Sequence, residues 1–321
     1  MKKQQRNTLV LVGALAVLIV VALVVIFTGD EEDDSTVTMA RADWSSGYMQ
    51  AAIYAQIIGE LGYTVNDPAD HTLRPYSFYP ALDTGQYDLW VNGWFPSHDR
   101  YFTGETAAGL SFDRGIEAVG NQVTGGGREG YMIDKATADS MGITSISQLT
   151  NASVAAVFDQ DGDGRADLIG CPDGWGCHDT INEQIEEFGW GANVEQVSGN
   201  DYDGPVMGVI DRIAAGEPAL FYAWTPNWTY EVLAPGDNVV WLESPWPDSS
   251  IRAVANIDFL DNNPDIRRLL RDVKIPLDDI VEQNVRMAAG DYTNAQVKAD
   301  AAAWIAANRD LVDSWLANAR G

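Results

Sequence analysis

The most uniform stretch of the chain lies near its start. Thr8 to Phe27 (TLVLVGALAVLIVVALVVIF) runs twenty residues without a charge, about the ~20 apolar residues that a bilayer-spanning helix needs. Further on, apolar and polar positions alternate with two periods. TVTMA (36–40) reads as a strand. SSGYMQAAIYAQIIGELG (45–62) reads as a helix, because Met49, Ile53, Ile57 and Leu61 recur every four residues. Its serines offer an N-cap and Gly62 a stop. YTV (63–65) and QYDLWVNGW (86–94) return to strand, and a glycine cluster, TGGGREG (124–130), then breaks the pattern. Beyond it SVAAVFD (153–159), PALFYAW (218–224) and NVVWLE (238–243) read as strands, with TINEQIEEFG (180–189) as a helix between them. SPWPDSS (244–250) is a second break, and the chain from NNPDIRRLLRDV onward is mostly helical.

Alternation of strand and helix implies an α/β protein with parallel sheets. Two breaks around a middle α/β segment imply two lobes joined by two crossings. Lobe I takes residues 36–128 with 249–321, and lobe II takes 129–248. A basic flank (1–7), the apolar segment (8–28) and a polar linker (29–35) precede them. In such an architecture the ligand sits at strand ends, in the cleft between lobes.

Charge narrows the partners. Against 20 Lys+Arg stand 47 Asp+Glu, a formal charge of −27, which repels nucleic acid and anionic membrane and argues against both. The three positive charges of MKKQQRN hold the first residues in the cytoplasm and place residues 35–321 outside. The apolar run is longer than an ordinary signal core and no A-x-A site follows it, which favours an uncleaved anchor over a cleaved signal. Cys171 and Cys177 are the two cysteines of the chain. Outside the cytoplasm they are expected to form a disulfide; a metal pair beside His178 is the alternative.

Three loops carry tryptophans beside Gly/Pro turns: NGWFPSHD (92–99), CPDGWGCHD (171–179) and FYAWTPNW (221–228). With parallel strands in each lobe, Trp94, Trp175 and Trp224 converge on the cleft. A box of indole faces attracts a cation that offers no hydrogen bonds, such as a quaternary ammonium, by about 0.5–2 kcal/mol per face. A zwitterion also needs an anion site. The amides of Gly176 and Cys177, at the start of a helix, and the side chain of His98 supply one. The remaining tryptophans read as packing: Trp304 and Trp315 on the helical end, then Trp90, Trp190 and Trp241, with Trp228 as a buttress for Trp224.

From residue 36 to the end the chain resembles the substrate-binding proteins of glycine betaine ABC importers, of the ProX type that also takes proline betaine. The likeness rests on ELGYTVNDP, NGWFPSHD, GYMIDKATAD, FDQDGDGRADLIGCPDGWGCHDTIN, FYAWTPNW and VVWLESP. It implies a two-lobed periplasmic-binding-protein-like fold that closes on its ligand. It implies that Trp94, Trp175 and Trp224 box the trimethylammonium, and that His98 with the Gly176 and Cys177 amides takes the carboxylate. It also implies the Cys171–Cys177 disulfide, and as partners a membrane permease and its separate ATPase. A monomer is expected. Choline, carnitine and ectoine are the alternative ligands, and a sugar-stacking module is a distant rival.

DQDGDGRAD places Asp159, Asp161, Asp163 and Asp167 at positions 1, 3, 5 and 9 of a calcium-type loop, with Gly164 at the turn and Gly170 where a bidentate glutamate belongs. A structural calcium there is a candidate, and no other cofactor is expected. With three histidines and no G-x-S-x-G, nucleotide loop or H-E-x-x-H, the chain is not expected to be an enzyme. A calcium-dependent hydrolase is the rival reading.

Overall fold

A computed structural model describes residues 36–105, 111–124, 127–290 and 292–321. The apolar segment 8–28, and with it the expected anchor, lies outside the described residues. Among the described residues no helix is long and apolar enough to cross a membrane. In chain order the main elements are α1 (Tyr48–Leu61), α2 (Pro75–Asp83), β1 (Leu89–Phe95), β2 (Ile116–Val119), β3 (Arg128–Asp134), β4 (Ala166–Ile169), α3 (Gly176–Glu187), β5 (Val194–Val197), α4 (Asp203–Ala215), β6 (Leu220–Thr225), β7 (Val239–Trp241) and β8 (Ser250–Asn256). Four helices end the chain: α5 (Pro264–Asp272), α6 (Leu277–Ala288), α7 (Asn294–Ala307) and α8 (Arg309–Arg320).

The i, i+4 pattern of α1 holds: Met49, Ile53 and Ile57 are buried, and Gly62, in a left-handed conformation, ends the helix. Its serines do not cap it. Ser45–Gly47 form a tight turn without a side-chain cap, and the Ser46 carbonyl instead accepts the carboxamide N–H of Gln50 at 2.6 Å. β1 is buried along its whole length, as expected of a strand covered on both faces.

Two sheets define two lobes. One has the order β1–β8–β2, with β8 antiparallel to both neighbours. The other has the order β5–β4–β6–β3–β7. In it β4 runs parallel to β5 and β6, whereas β3 is antiparallel to β6 and β7. The expected all-parallel sheets are therefore corrected to one antiparallel and one mixed sheet. Helices α3 and α4 lie between the parallel strands in the chain, as right-handed crossovers require. β3 arrives directly from the other lobe and so has no such constraint. SVAAVFD is also corrected. Ala152–Ala155 is a helical turn, because the Asn151 side chain accepts the Ser153 N–H and caps it, and an N-cap outweighs β-branched propensity in so short a run.

The two crossings run side by side. The Gly127 N–H donates to the Ser249 carbonyl at 2.8 Å, and the Ser249 N–H returns a bond to Gly127 at 3.1 Å. After the second crossing the chain enters β8, and α5–α8 complete the lobe that α1 belongs to. There α7 packs on α1, and Trp304 stacks on Trp315 at 6.3 Å, which makes both packing residues.

Cys171 and Cys177 are joined by a disulfide, their Cα atoms 5.9 Å apart, so neither sulfur remains for a metal. The bridge fixes the turn that enters α3. Because it closes a short loop, its removal should lower stability by no more than about 3 kcal/mol. Urea unfolding of the Cys171→Ser/Cys177→Ser double variant measures this. A much larger loss would mean that the bridge holds more than its own loop.

Candidate functional site

Four segments deliver tryptophans to one place. Trp44 lies in the turn before α1, Trp94 near the end of β1, Trp175 immediately before α3, and Trp224 near the end of β6. Together with Ser97, His98, Glu129, Gly176, Cys177 and Tyr222 they line a small cavity. The structure thus brings Trp94, Trp175, Trp224, His98, Gly176 and Cys177 together. All four indoles are buried, none more than 7 % exposed. The peptide bonds Phe95–Pro96 and Thr225–Pro226, just beyond two of them, are cis.

Three of the four indole edges are held by acceptors. Asn92 Oδ1 accepts the indole N–H of Trp44 at 2.6 Å and of Trp94 at 2.9 Å. Trp224 donates to Ser46 Oγ at 3.5 Å. Trp175 has no hydrogen-bond partner of good geometry, but its N–H lies close enough to Asp43 to favour that carboxylate. The rings of Trp44 and Trp175 meet edge-on at 5.1 Å, and those of Trp175 and Trp224 at 5.7 Å. Tyr202 backs Trp224 at 4.4 Å. Trp228, expected in that place, donates its indole N–H to Asp203 instead. A Cβ on Gly127 would come within 2.6 Å of the Trp94 ring, so the glycine of the first crossing is what lets the backbone lie against this indole.

Away from the indoles the cavity is polar, and its histidine is neutral. His98 Nδ1 accepts the backbone N–H of Trp94 at 3.2 Å and lies 2.9 Å from the Tyr79 hydroxyl. A backbone N–H can only donate, which assigns the proton to Nε2. Burial pushes the His98 pKa down to about 3, with Arg100 adding to the effect, so the ring is neutral at ordinary pH. Its Nε2 edge lies against Gly176, where a Cβ would come within 3.1 Å of His98 Cδ2 and 3.3 Å of the Ser97 carbonyl. Gly176 and Cys177 open α3, so their amides have no acceptor within the helix. The His98 ring N–H and the Gly176 and Cys177 amides, the latter two without an acceptor of their own in the helix, therefore border one end of the cavity, and the four indoles, Ser97, Glu129 and Tyr222 complete its lining.

Sequence reasoning missed Trp44, Ser97, Tyr222 and Glu129. Trp44 stands between a strand and a helix start, but with Asp43 and Ser45 as neighbours it lacks the adjoining Gly/Pro turn that marked the other three. Tyr222 lies two residues before Trp224 on β6 and so on the same face. Glu129 carried no local signal, because only the register that sets it opposite Trp224 reveals its place. Two arginines fasten the lobes beside the cavity. Arg74 bonds Asp43 Oδ2 at 2.9 Å and reaches the backbone carbonyls of Asp173 and Asn200. Arg100 donates to Thr180 and to both Glu183 oxygens on α3. Burial raises the Asp43 carboxyl, and its bond with Arg74 opposes the rise.

The acidic loop lies elsewhere. Carboxylate oxygens of Asp159, Asp161 and Asp167 come within 4.8 Å of one another, and so do those of Asp161, Asp163 and Glu195. Asp159 accepts the Gly162 and Gly164 N–H groups, and Asp167 that of Gln160. Arg165 pairs with Asp163 and Glu195. These contacts shape the turn that brings the acidic groups together.

Residues 35–307 match the family described as the substrate binding domain of ABC-type glycine betaine transport systems. The glycine betaine-binding periplasmic protein OusX of Dickeya dadantii is 32 % identical over 307 residues, 89 % of this chain and 90 % of that one. The glycine betaine/proline betaine-binding periplasmic protein of Salmonella typhimurium is 32 % identical over 88 % of this chain and 90 % of its own. Among solved structures, an ABC-transporter choline-binding protein with choline superposes with a TM-score of 0.70 at 16 % identity, covering 90 % of this chain and 93 % of that one. Lactococcal OpuAC, closed on glycine betaine, gives 0.66 at 16 % identity over 88 % and 99 %. At that identity the structural likeness speaks for the two-lobed fold alone. The sequence match is what decides the family: this chain belongs to the substrate-binding domains of ABC-type glycine betaine transport systems.

Proposed function

We propose that the protein captures glycine betaine, or its relative proline betaine, outside the cytoplasm and delivers it to the membrane permease of an ABC importer driven by a separate ATPase, for uptake of an osmoprotectant. The observation that carries this reading is a single cavity that gathers four indoles at the same place as three neutral N–H groups, those of His98, Gly176 and Cys177. The trimethylammonium sits among Trp44, Trp94, Trp175 and Trp224, where ring quadrupoles attract a cation that needs no hydrogen bonds. The carboxylate takes the His98 Nε2–H and the amides of Gly176 and Cys177, assisted by the positive end of α3. Capture involves no bond making. The apolar segment 8–28 tethers the protein to the outer face of the membrane, beside the permease.

Ligand and closure support each other. The site draws on both lobes, so a bound solute stabilises the closed arrangement by as much as it prefers that state. Choline lacks the carboxylate and leaves the His98 end without an acceptor, so it should bind more weakly than glycine betaine. Comparative titration calorimetry settles the order, and tighter choline binding would reverse the ligand assignment.

Trp175→Ala removes the indole that touches both Trp44 and Trp224. At ~0.5–2 kcal/mol per aromatic face, glycine betaine affinity should fall roughly 2- to 30-fold, and the domain should still unfold cooperatively, at a midpoint lowered by the loss of a buried ring. Wild-type affinity in this variant would sink the cage.

His98 carries a pH signature of its own. Its folded pKa of about 3 lies below the unfolded value near 6.5, so between the two the unfolded chain binds a proton that the folded chain refuses. This component of stability is complete above pH 6.5 and is lost as the pH falls toward 3. Between pH 7 and 5 the wild type should lose about 2 kcal/mol more than His98→Gln. Denaturant unfolding at both pH values measures the difference. Parallel losses would mean that His98 is accessible and titrates normally.

A further inference from the structure

Glu129 is an unusual wall for such a cavity. It is only 6 % exposed, lines the cavity, and stands directly opposite Trp224 in the β3–β6 register, so both side chains leave the same face of the sheet. Its carboxylate accepts the hydroxyls of Ser249 at 2.6 Å, Tyr222 at 2.8 Å and Ser97 at 3.2 Å. These donors are neutral, and among the described residues no cation pairs with it. Arg128, its neighbour in the chain, lies over the Trp241 ring at 4.3 Å. A buried carboxylate with hydroxyl donors and no counter-ion is a standing demand for positive charge.

We propose that Glu129 is a specificity-determining residue: its carboxylate is the buried anion of the cage, and it favours quaternary ammonium ligands with a net positive charge over zwitterions. This rests on the quaternary-ammonium reading above. Indole faces do not distinguish choline from glycine betaine, because both present the same trimethylammonium. A fixed anion does, because the ligand's own carboxylate cancels part of the attraction. Glu129 thus narrows the preference that the His98 end creates, keeping choline within reach of a site whose donors suit betaine.

Protonation provides the second handle. Burial raises the Glu129 carboxyl above its ordinary range, and the hydroxyl bonds partly oppose this. Acid therefore neutralises it and weakens binding of a cation. The other titratable groups nearby do not mimic this. His98 is neutral down to about pH 3, Tyr222 is held well above its ordinary range, and Asp43 is bonded to Arg74 and is retained in every variant.

The test is titration of the full chain and of Glu129→Gln with choline and glycine betaine at pH 7.5 and pH 5. Glu129→Gln should weaken choline roughly tenfold or more and betaine distinctly less, so the betaine-to-choline ratio rises. Wild-type choline affinity should fall more steeply on acidification than that of Glu129→Gln, since any contribution of Asp43 is common to both. Ser249→Ala, which keeps the carboxylate but removes its shortest donor, should move the acid transition to higher pH. Equal losses for both ligands at both pH values, or no loss, would overturn the proposal and reduce Glu129 to a tie between strands. A wild type that binds neither ligand would instead overturn the quaternary-ammonium reading, and this inference with it.

Discussion

An indole has a bare face and a polar edge, and this site depends on satisfying the edges without covering the faces. A buried N–H without an acceptor destabilises a fold by about 1–3 kcal/mol, so tryptophans gathered in one cavity would ordinarily turn their edges toward water or ligand. Here Asn92 Oδ1 takes two of the four edges and Ser46 takes a third, while the fourth faces Asp43. Asn92 is two residues from Trp94 on β1 and so shares its face. The same alternation that buries β1 places the acceptor beside the ring that needs it. Tyr202 then packs against Trp224 and the Gly127 backbone lies against Trp94, which holds the rings in place.

Closure sets the shape of the cavity more than any single element does. The paired crossings at Gly127 and Ser249 form a narrow two-stranded hinge, and Glu129 sits just beyond it, bonded to hydroxyls before and after the crossing. Farther from the hinge, Arg74 and Arg100 span the lobes. Arg74 meets backbone carbonyls, which commits it to a position rather than to a partner side chain. Arg100 meets the first turns of α3, the helix whose opening amides face the cavity. A shift of α3 away from Arg100 would move the Gly176 and Cys177 amides with it. The donor end is therefore intact only when the lobes meet.

Much of this was legible in the sequence, for identifiable reasons. Met49, Ile53, Ile57 and Gly62 specify α1 because period and stop agree, and Trp94, Trp175 and Trp224 stand out because large rings beside Gly/Pro turns have no packing explanation. Direction was not legible. Alternating strands and helices look alike whether β3 enters its sheet parallel or reversed, and only its arrival from the other lobe decides. SVAAVFD looked like a strand because branched residues weigh heavily in a short run, whereas one asparagine cap turns it into a helix. Glu129 was hidden for a deeper reason: a glutamate beside a glycine cluster reads as solvated, and its burial is a product of strand register, a long-range property.

The formal charge of −27 and the chemistry of the cavity belong to two electrostatic regimes. Charges on the surface are screened within about 8 Å at physiological ionic strength and about 3 Å at 1 M, so their pairs contribute least when salt is high. Arg74 and Arg100, with side chains 36 % and 27 % exposed, lie toward that regime, and their hold on the closed state weakens as ions accumulate. The cavity lies in the other regime. Ring quadrupoles, a neutral histidine and backbone amides act over contact distances inside buried walls, where mobile ions do not enter. The proposed recognition draws mainly on groups without formal charge, and Glu129, the one formal charge among the lining residues, is only 6 % exposed and so lies within the second regime.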